Sequence, residues 1–163
     1  MSIKRMTNAA LMGAVTFAMA TSAMAQEAVV ELLAAPAGAE EWNVVSRSSA
    51  TVYMVDIKSI TNADGITSIK LARVPSTGDA TDLTHSVGQV DFRCSANQSR
   101  PGEEVIYGAD GSIEDRINDG YDFDRIENNS LDAFVKTLAC GNDRSSQIYP
   151  SIVAFIQAGR PSA

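Results

Sequence analysis

The sequence is poor in the residues that most often carry catalytic chemistry. Its 163 residues include two cysteines, one histidine and one tryptophan. So few Cys and His residues, far apart in the chain, indicate neither a zinc centre nor a CxxC redox pair. The chain also lacks a phosphate-binding glycine loop and a Gly-x-Ser-x-Gly nucleophile motif. We therefore predict a protein that is not an enzyme and that needs no cofactor or metal.

Basic residues are also scarce. Lys and Arg number 13 against 20 Asp and Glu, which gives a net charge of −7. Nucleic-acid binding requires clustered cations to neutralise phosphates, and the sequence contains no basic run. Beyond the N-terminal region, no apolar stretch approaches the roughly 20 residues of a membrane span. We expect neither a nucleic-acid partner nor a membrane span.

The N-terminus has the three-part pattern of a secretory signal peptide. Lys4 and Arg5 precede a mostly apolar run at 9–20, and Ala23-Met24-Ala25 supplies a small-x-small cleavage site. Cleavage before Gln26 leaves 138 residues, enough for one domain. The net charge changes from −7 to −9, since Lys4 and Arg5 leave and no acidic residue does. We expect an exported protein, in the periplasm or at the cell surface.

The two cysteines are the clearest structural signal in the sequence. In an oxidising compartment an even cysteine count usually means a disulfide, here between Cys94 and Cys140. Val90, Phe92 and Cys94 alternate and so share one face of a strand. Closing this loop stabilises the fold by about 4 kcal/mol in the chain-entropy model.

The segment before Cys140 has helical periodicity. Its apolar residues recur at i, i+3, i+4 and i+7, namely Leu131, Phe134, Val135 and Leu138. Asn129 or Ser130 is the expected N-cap, and Gly141 is the expected left-handed stop. The pattern predicts a helix over 130–140, with Cys140 in its last turn.

The rest of the mature chain is typical of short strands joined by turns. Six segments are rich in β-branched or aromatic residues, at 41–46, 50–57, 66–74, 84–94, 103–108 and 112–118. Residues 95–102 are expected to form a loop. A second short helix is predicted over 147–159 from Ile148, Ile152, Phe155 and Ile156. The fold class is α+β: an antiparallel sheet of about six strands with C-terminal helices packed on it and one sheet–helix disulfide.

This pattern divides the chain into a signal peptide at 1–25, a flexible or weakly helical lead-in at 26–40, a domain at 41–141 and a C-terminal helical tail at 142–163. The expected core residues are Trp42, Tyr53, Phe92 and Leu138, because large apolar side chains on strand and helix faces are usually buried.

Two groups of polar residues are candidates for chemistry. His85 is the only histidine, but its neighbours Thr84 and Ser86 point to the opposite face of the strand, so catalysis is not predicted. Residues 103–127 hold nine acidic side chains, yet they do not fit the spacing of a calcium loop. Within them, Asp122 and Asp124 are expected on one face of a strand. A cation-dependent hydrolase is therefore kept only as an alternative.

Several residues match a family pattern. They are Trp42, Tyr53-Met54-Val55-Asp56, Ser59-Ile60, Cys94, Tyr107, Asn129-Ser130-Leu131 and Cys140. Over residues 41–141 the chain resembles the surface-adhesin protein E-like family of Gram-negative envelope proteins. It differs from that family in lacking a lipidation cysteine, in having Asn128-Asn129-Ser130 where Pro-Gly-Ser is usual, and in having Phe123 where Trp is common.

The resemblance implies a disulfide between the sheet and a C-terminal helix. It also implies a non-enzymatic binding module whose partner is a protein ligand or a second copy, since the family's named member binds host matrix and serum proteins and can dimerise. A periplasmic structural protein without a soluble ligand is the other alternative.

Overall fold

A computed structural model of the chain describes residues 40–162. The strands are β1 (Trp42–Arg47), β2 (Thr51–Ala63), β3 (Ile66–Pro75), β4 (His85–Arg93), β5 (Gln98–Tyr107), β6 (Ile113–Ile117), β7 (Asp124–Arg125) and β8 (Ile148–Tyr149). The helices are α1 (Leu131–Ala139) and α2 (Ile152–Gln157). The predicted signal peptide and nearly all of the lead-in lie outside the described residues.

All of these strands belong to one antiparallel sheet. Its order is β6-β5-β4-β3-β2-β1-β8, and β7 pairs with β5 off this path. The predicted fold class is confirmed, with eight strands in place of about six. The two strands that the sequence did not predict, β7 and β8, are only two residues long each, which is too short for an alternating pattern to reveal.

Both faces of the sheet carry a core. Alternation along β2 places Val55 on one face and Val52 and Met54 on the other. The first face packs against α1 through Val135, and we call it the α1 face. The second packs against α2 through Phe155, and we call it the α2 face. The two helices thus cover opposite sides of the sheet. This explains why the central strands carry apolar side chains on both faces.

Most of the expected core residues are buried. Trp42 and Phe92 lie inside with at most 1% of their surface exposed, and Leu138 is 7% exposed. Tyr53 is half-buried against the α1 core. Phe134 was expected on the buried stripe of the helix, but it is 49% exposed. That expectation was wrong because α1 turns Val135 and Leu138 toward the sheet and leaves Phe134 at the rim.

Helix α1 begins as predicted and ends differently. The Ser130 side chain accepts a hydrogen bond from the Ala133 N–H at 3.1 Å, which is an N-cap. The expected left-handed stop at Gly141 is wrong, because Gly141 has no positive φ and Cys140 ends the helix in a right-handed conformation. Glycine is needed there for space, since a Cβ would lie 2.6 Å from the Thr137 carbonyl oxygen.

The predicted disulfide is confirmed. Cys94 directly follows β4, Cys140 caps α1, and their Cα atoms are 5.8 Å apart. The bond therefore fastens α1 to the sheet at the end of the helix. Because α1 has only nine residues, it is too short to be stable without such packing.

Two predicted boundaries were wrong. Residues 95–102 are not all loop: after a single helical turn, Asn97 adopts a left-handed conformation with φ 53° and β5 starts at Gln98. Pro101 is tolerated in this strand because it lies at a β-bulge opposite β4. Ile148 belongs to β8 and is 51% exposed, so the second helix starts only at Ile152.

The Asp56–Ser59 pair explains an irregular stretch of β2. The register with β3 shifts between Asp56 and Thr61. The Asp56 carboxylate accepts hydrogen bonds from the Glu41 N–H at 2.8 Å and the Lys58 N–H at 3.0 Å. The Ser59 hydroxyl donates to the Asp56 carbonyl at 2.6 Å and accepts from the Lys70 N–H at 2.8 Å. These two side chains therefore hold the bulge.

Candidate binding face

The α2 face is divided into an apolar half and a polar half. Helix α2 packs on the apolar half, which includes Met54 and Val74. The polar half comprises Ser68, Lys70, Gln89, Asp91 and Arg100, with the side chains next to them. The register brings these residues together, since Lys70 pairs with Gln89, and Asp91 pairs with both Ser68 and Arg100. No two neighbours in sequence contribute to it, so no local motif marks it.

A pocket lies where α2 meets the polar half. It has a volume of about 200 Å³, and we call it the His85 pocket. Its walls include Glu40, Trp42, Lys70, His85, Tyr107 and Ile152. The pocket thus combines an aromatic and aliphatic lining with one carboxylate, one ammonium group and one imidazole, the mixture typical of small-ligand sites.

His85 is fixed in one tautomer. Its Nδ1 lies 2.6 Å from the Leu83 carbonyl oxygen. Because a carbonyl only accepts, Nδ1 carries the proton and the Nε2 of the neutral ring is an acceptor. The ring also stacks on Tyr107, with centroids 4.5 Å apart and planes 5° from parallel. His85 therefore presents a rigid hydrogen-bond acceptor.

Burial determines the charge of this ring. His85 is 9% exposed, and desolvation lowers its pKa below the ordinary histidine value, although the Leu83 carbonyl and the Glu40 carboxylate partly oppose the shift. A histidine with a depressed pKa is neutral at neutral pH. It is therefore suited to accept a hydrogen bond from a ligand.

The same shift gives a pH dependence of stability. Below the unfolded pKa of about 6.5 the unfolded chain binds a proton that the folded chain resists, so acidification destabilises the fold. We expect urea unfolding of the wild type to give a higher free energy of unfolding at pH 7.5 than at pH 5. In His85→Phe, which keeps the stack on Tyr107, the difference should be smaller. An equal difference in both proteins would contradict this assignment, because the chain has no other histidine.

A network around Asp91 orders the polar half. Its carboxylate accepts from the Ser68 hydroxyl at 2.6 Å, the Gln89 amide at 2.7 Å and Arg100, whose Nε and Nη2 each lie 3.0 Å away. Burial raises the pKa of Asp91, but these hydrogen bonds outweigh it and hold the pKa below the ordinary carboxyl value. Arg100 is thus held in place by a buried anion.

The hydroxyl groups beside His85 are engaged elsewhere. The Thr84 hydroxyl donates to the Asp82 carboxylate at 2.6 Å, and the Ser86 hydroxyl donates to the Glu104 carboxylate at 2.6 Å. Ser86 lies on the α1 face, opposite His85, as strand alternation predicted. The structure does not bring a hydroxyl of these two residues to the imidazole.

The acidic residues of 103–127 are spread over β5, β6, β7 and the loops between them. Asp122 is not part of a strand, so the predicted same-face pair of Asp122 and Asp124 was wrong. In the part of the chain that the structure describes, no cluster of three or more His, Cys, Asp or Glu side chains is arranged to hold a metal ion.

Within residues 40–162, neither helix has the length and apolarity that crossing a membrane requires. Comparison of the chain with protein-family models, with curated proteins and with solved structures found no match.

Proposed function

We propose that the protein is an exported, non-enzymatic binding module of the Gram-negative envelope, of the surface-adhesin E-like kind. Its binding site is the polar half of the α2 face together with the His85 pocket. The observation that carries the proposal is the rigid arrangement of this site: His85 is held by a backbone carbonyl and an aromatic stack, and Arg100 by a buried carboxylate. Such preorganisation favours binding because little side-chain freedom is lost.

Export is supported by two independent features. The N-terminal sequence has the pattern of a signal peptide. Both cysteines of the chain are joined in a disulfide, a bond that persists in oxidising compartments and is rare in the cytosol. The bond also fastens α1, so the fold depends on the compartment in which it forms.

The hydrogen bonds of His85, Thr84 and Ser86 favour a binding role over a catalytic one. A general base needs an oriented partner and a nucleophile within reach. The Leu83 carbonyl orients the His85 ring, but the neighbouring hydroxyls of Thr84 and Ser86 are bonded to carboxylates and not to the imidazole. These groups are arranged to stay in place while a ligand binds.

A protein partner is supported by the edge of the sheet. Strand β6 is the terminal strand on one side of the sheet order. Ile113 and Ile117 on it are 50% and 39% exposed. An exposed edge with apolar side chains can add a strand from another chain. A protein ligand or a second copy added at this edge would border the His85 pocket, because Ile113 pairs with Tyr107, and it would also meet the charged side chains between Ile113 and Ile117.

The location is tested by protease treatment of intact and permeabilised cells, followed by an immunoblot. A variant lacking residues 2–25 is the matched control. We expect the wild type to be digested either in intact cells, which places it at the surface, or once the outer membrane is opened, which places it in the periplasm. The control should resist both treatments. A wild type that is as resistant as the control would contradict export.

A further inference from the structure

The polar half continues into a group of arginines that the sequence keeps apart. In the register of β4, β5 and β7, Gln98 pairs with Arg93 on one side and Arg125 on the other. Cross-strand partners share a face, so both arginines lie on the α2 face with Gln98 and with Arg100 two positions along β5. Three arginines thus surround one glutamine, and we call them the arginine group.

The arginine group is compact. With strands about 4.8 Å apart, the Cα atoms of Arg93 and Arg125 lie about 10 Å from each other. Arg100 is about 7 Å from Gln98 along the strand. Three guanidinium groups therefore share an area about the size of one or two sugar units.

An aromatic ring holds two of these side chains. The guanidinium carbon of Arg93 lies 4.0 Å from the centre of the Phe123 ring, and that of Arg100 lies 4.5 Å from it. Contact with the ring face restricts each guanidinium and leaves the N–H groups at its edge able to donate, although Arg100 already gives its Nε and Nη2 to Asp91. The side chains are therefore positioned before any ligand arrives.

The charge of the group is only partly neutralised. Among the described residues, the salt bridges are Arg73–Glu104, Arg100–Asp91 and Arg116–Glu103. Arg93 and Arg125 thus have no salt-bridge partner there, although the chain carries an excess of seven negative charges. Acidic side chains further away than the Debye length of about 8–10 Å are largely screened. Within that distance, Asp124 pairs with Ser99 and so lies on the opposite face of the sheet, whereas the exposed Asp122 adjoins Phe123 in sequence. Three arginines against Asp91 and Asp122 leave a local excess of one positive charge at the group.

We propose that the arginine group binds an anionic polysaccharide through its sulfate, phosphate or carboxylate groups. The guanidinium fork matches the oxygens of such groups. Between the arginines, the Gln98 amide has no side-chain hydrogen bond to the described residues and offers a donor and an acceptor to a sugar hydroxyl. The inference goes beyond the proposed protein partner, and it rests on the proposed function for the exported location where such a polymer is met.

The test uses the purified, oxidised mature chain and fluorescein-labelled dextran sulfate, with labelled neutral dextran of the same length as a control probe. Fluorescence anisotropy measures the affinity between about 50 and 200 mM salt, the range over which polyanion binding weakens. We expect binding to dextran sulfate only. Arg93→Gln combined with Arg125→Gln should weaken it about tenfold or more, as loss of two charged contacts implies. The slope of the logarithm of the affinity against the logarithm of the salt concentration should become shallower by about one unit for each arginine replaced.

A matched variant distinguishes an effect of the arginine group on binding from an effect of the protein's net charge. Arg144 is exposed, and among the described residues its Nη1 donates to the neighbouring Asp143 carbonyl, so Arg144→Gln changes the net charge away from the arginine group. This variant should bind like the wild type. The proposal would be overturned if dextran sulfate does not bind. It would also be overturned if Arg144→Gln weakens binding as much as Arg93→Gln alone or Arg125→Gln alone. Calorimetry with inorganic phosphate tests whether the group binds a free anion or an anionic group carried on a polymer. Binding of free phosphate as tight as that of dextran sulfate would overturn the polymer assignment. Because these assays use purified protein, their failure is distinguishable from a failure of export.

Discussion

Cys94→Ser or Cys140→Ser is expected to lower the free energy of unfolding by about 2–5 kcal/mol. The bond joins residues separated by 46 positions, and without it the unfolded chain gains the freedom that the loop constraint removes. The folded state also loses the attachment of α1, which buries Val135 and Leu138 against the sheet. Since a domain of this size is typically stable by only 5–15 kcal/mol, the loss is a large share of the total.

The measurement is urea unfolding of the mature wild type and of both variants, with and without reductant. Each single variant should match the double variant. Reductant should lower the wild type to the same level and leave the variants unchanged. Unfolding midpoints of the variants that equal the oxidised wild type would show that the bond does not stabilise the fold.

Asp56→Ala is expected to destabilise the protein by about 3 kcal/mol. Asp56 is 2% exposed, and its carboxylate is the acceptor for the backbone N–H groups of Glu41 and Lys58. Hydrogen bonds to a charged group contribute about 1.5–3 kcal/mol each, and alanine leaves both donors without this partner. Thermal and urea unfolding measure the change.

Two other variants calibrate this expectation. Ser59→Ala removes the neutral hydroxyl from the same bulge and should cost about 1 kcal/mol. Asp143→Ala changes an exposed acid and should stay within about 0.5 kcal/mol of the wild type. If Asp56→Ala is no more destabilising than Asp143→Ala, the carboxylate does not hold the bulge.

The sequence predicted the parts of the fold that depend on local patterns. Alternation in 66–74 located β3, and the spacing of Leu131, Val135 and Leu138 located α1. Cysteine number and the signal-peptide pattern were enough to predict the pairing of Cys94 with Cys140, and the structure confirms the bond. Phe134 was placed wrongly because periodicity gives a stripe and does not fix which edge of it faces the sheet.

The candidate binding face could not be predicted from local sequence patterns. The sequence has no basic run, yet Arg93, Arg100 and Arg125 share one face because β4, β5 and β7 are adjacent. Their pairing depends on a tight turn at Asn97 and on a two-residue strand, and neither has a sequence signal strong enough to fix the register. The polar alternation of Lys70 with Ser68 and of Gln89 with Asp91 was the one visible sign of a polar half.

We propose an exported protein whose fold is completed by a disulfide. The most direct test is the intact mass of the chain recovered from the periplasmic and outer-membrane fractions, before and after thiol alkylation. We expect a chain that begins at Gln26, whose mass does not change on alkylation because both cysteines are bonded. A chain that keeps residues 1–25, is found in the cytoplasm and takes up two alkyl groups would contradict the claim.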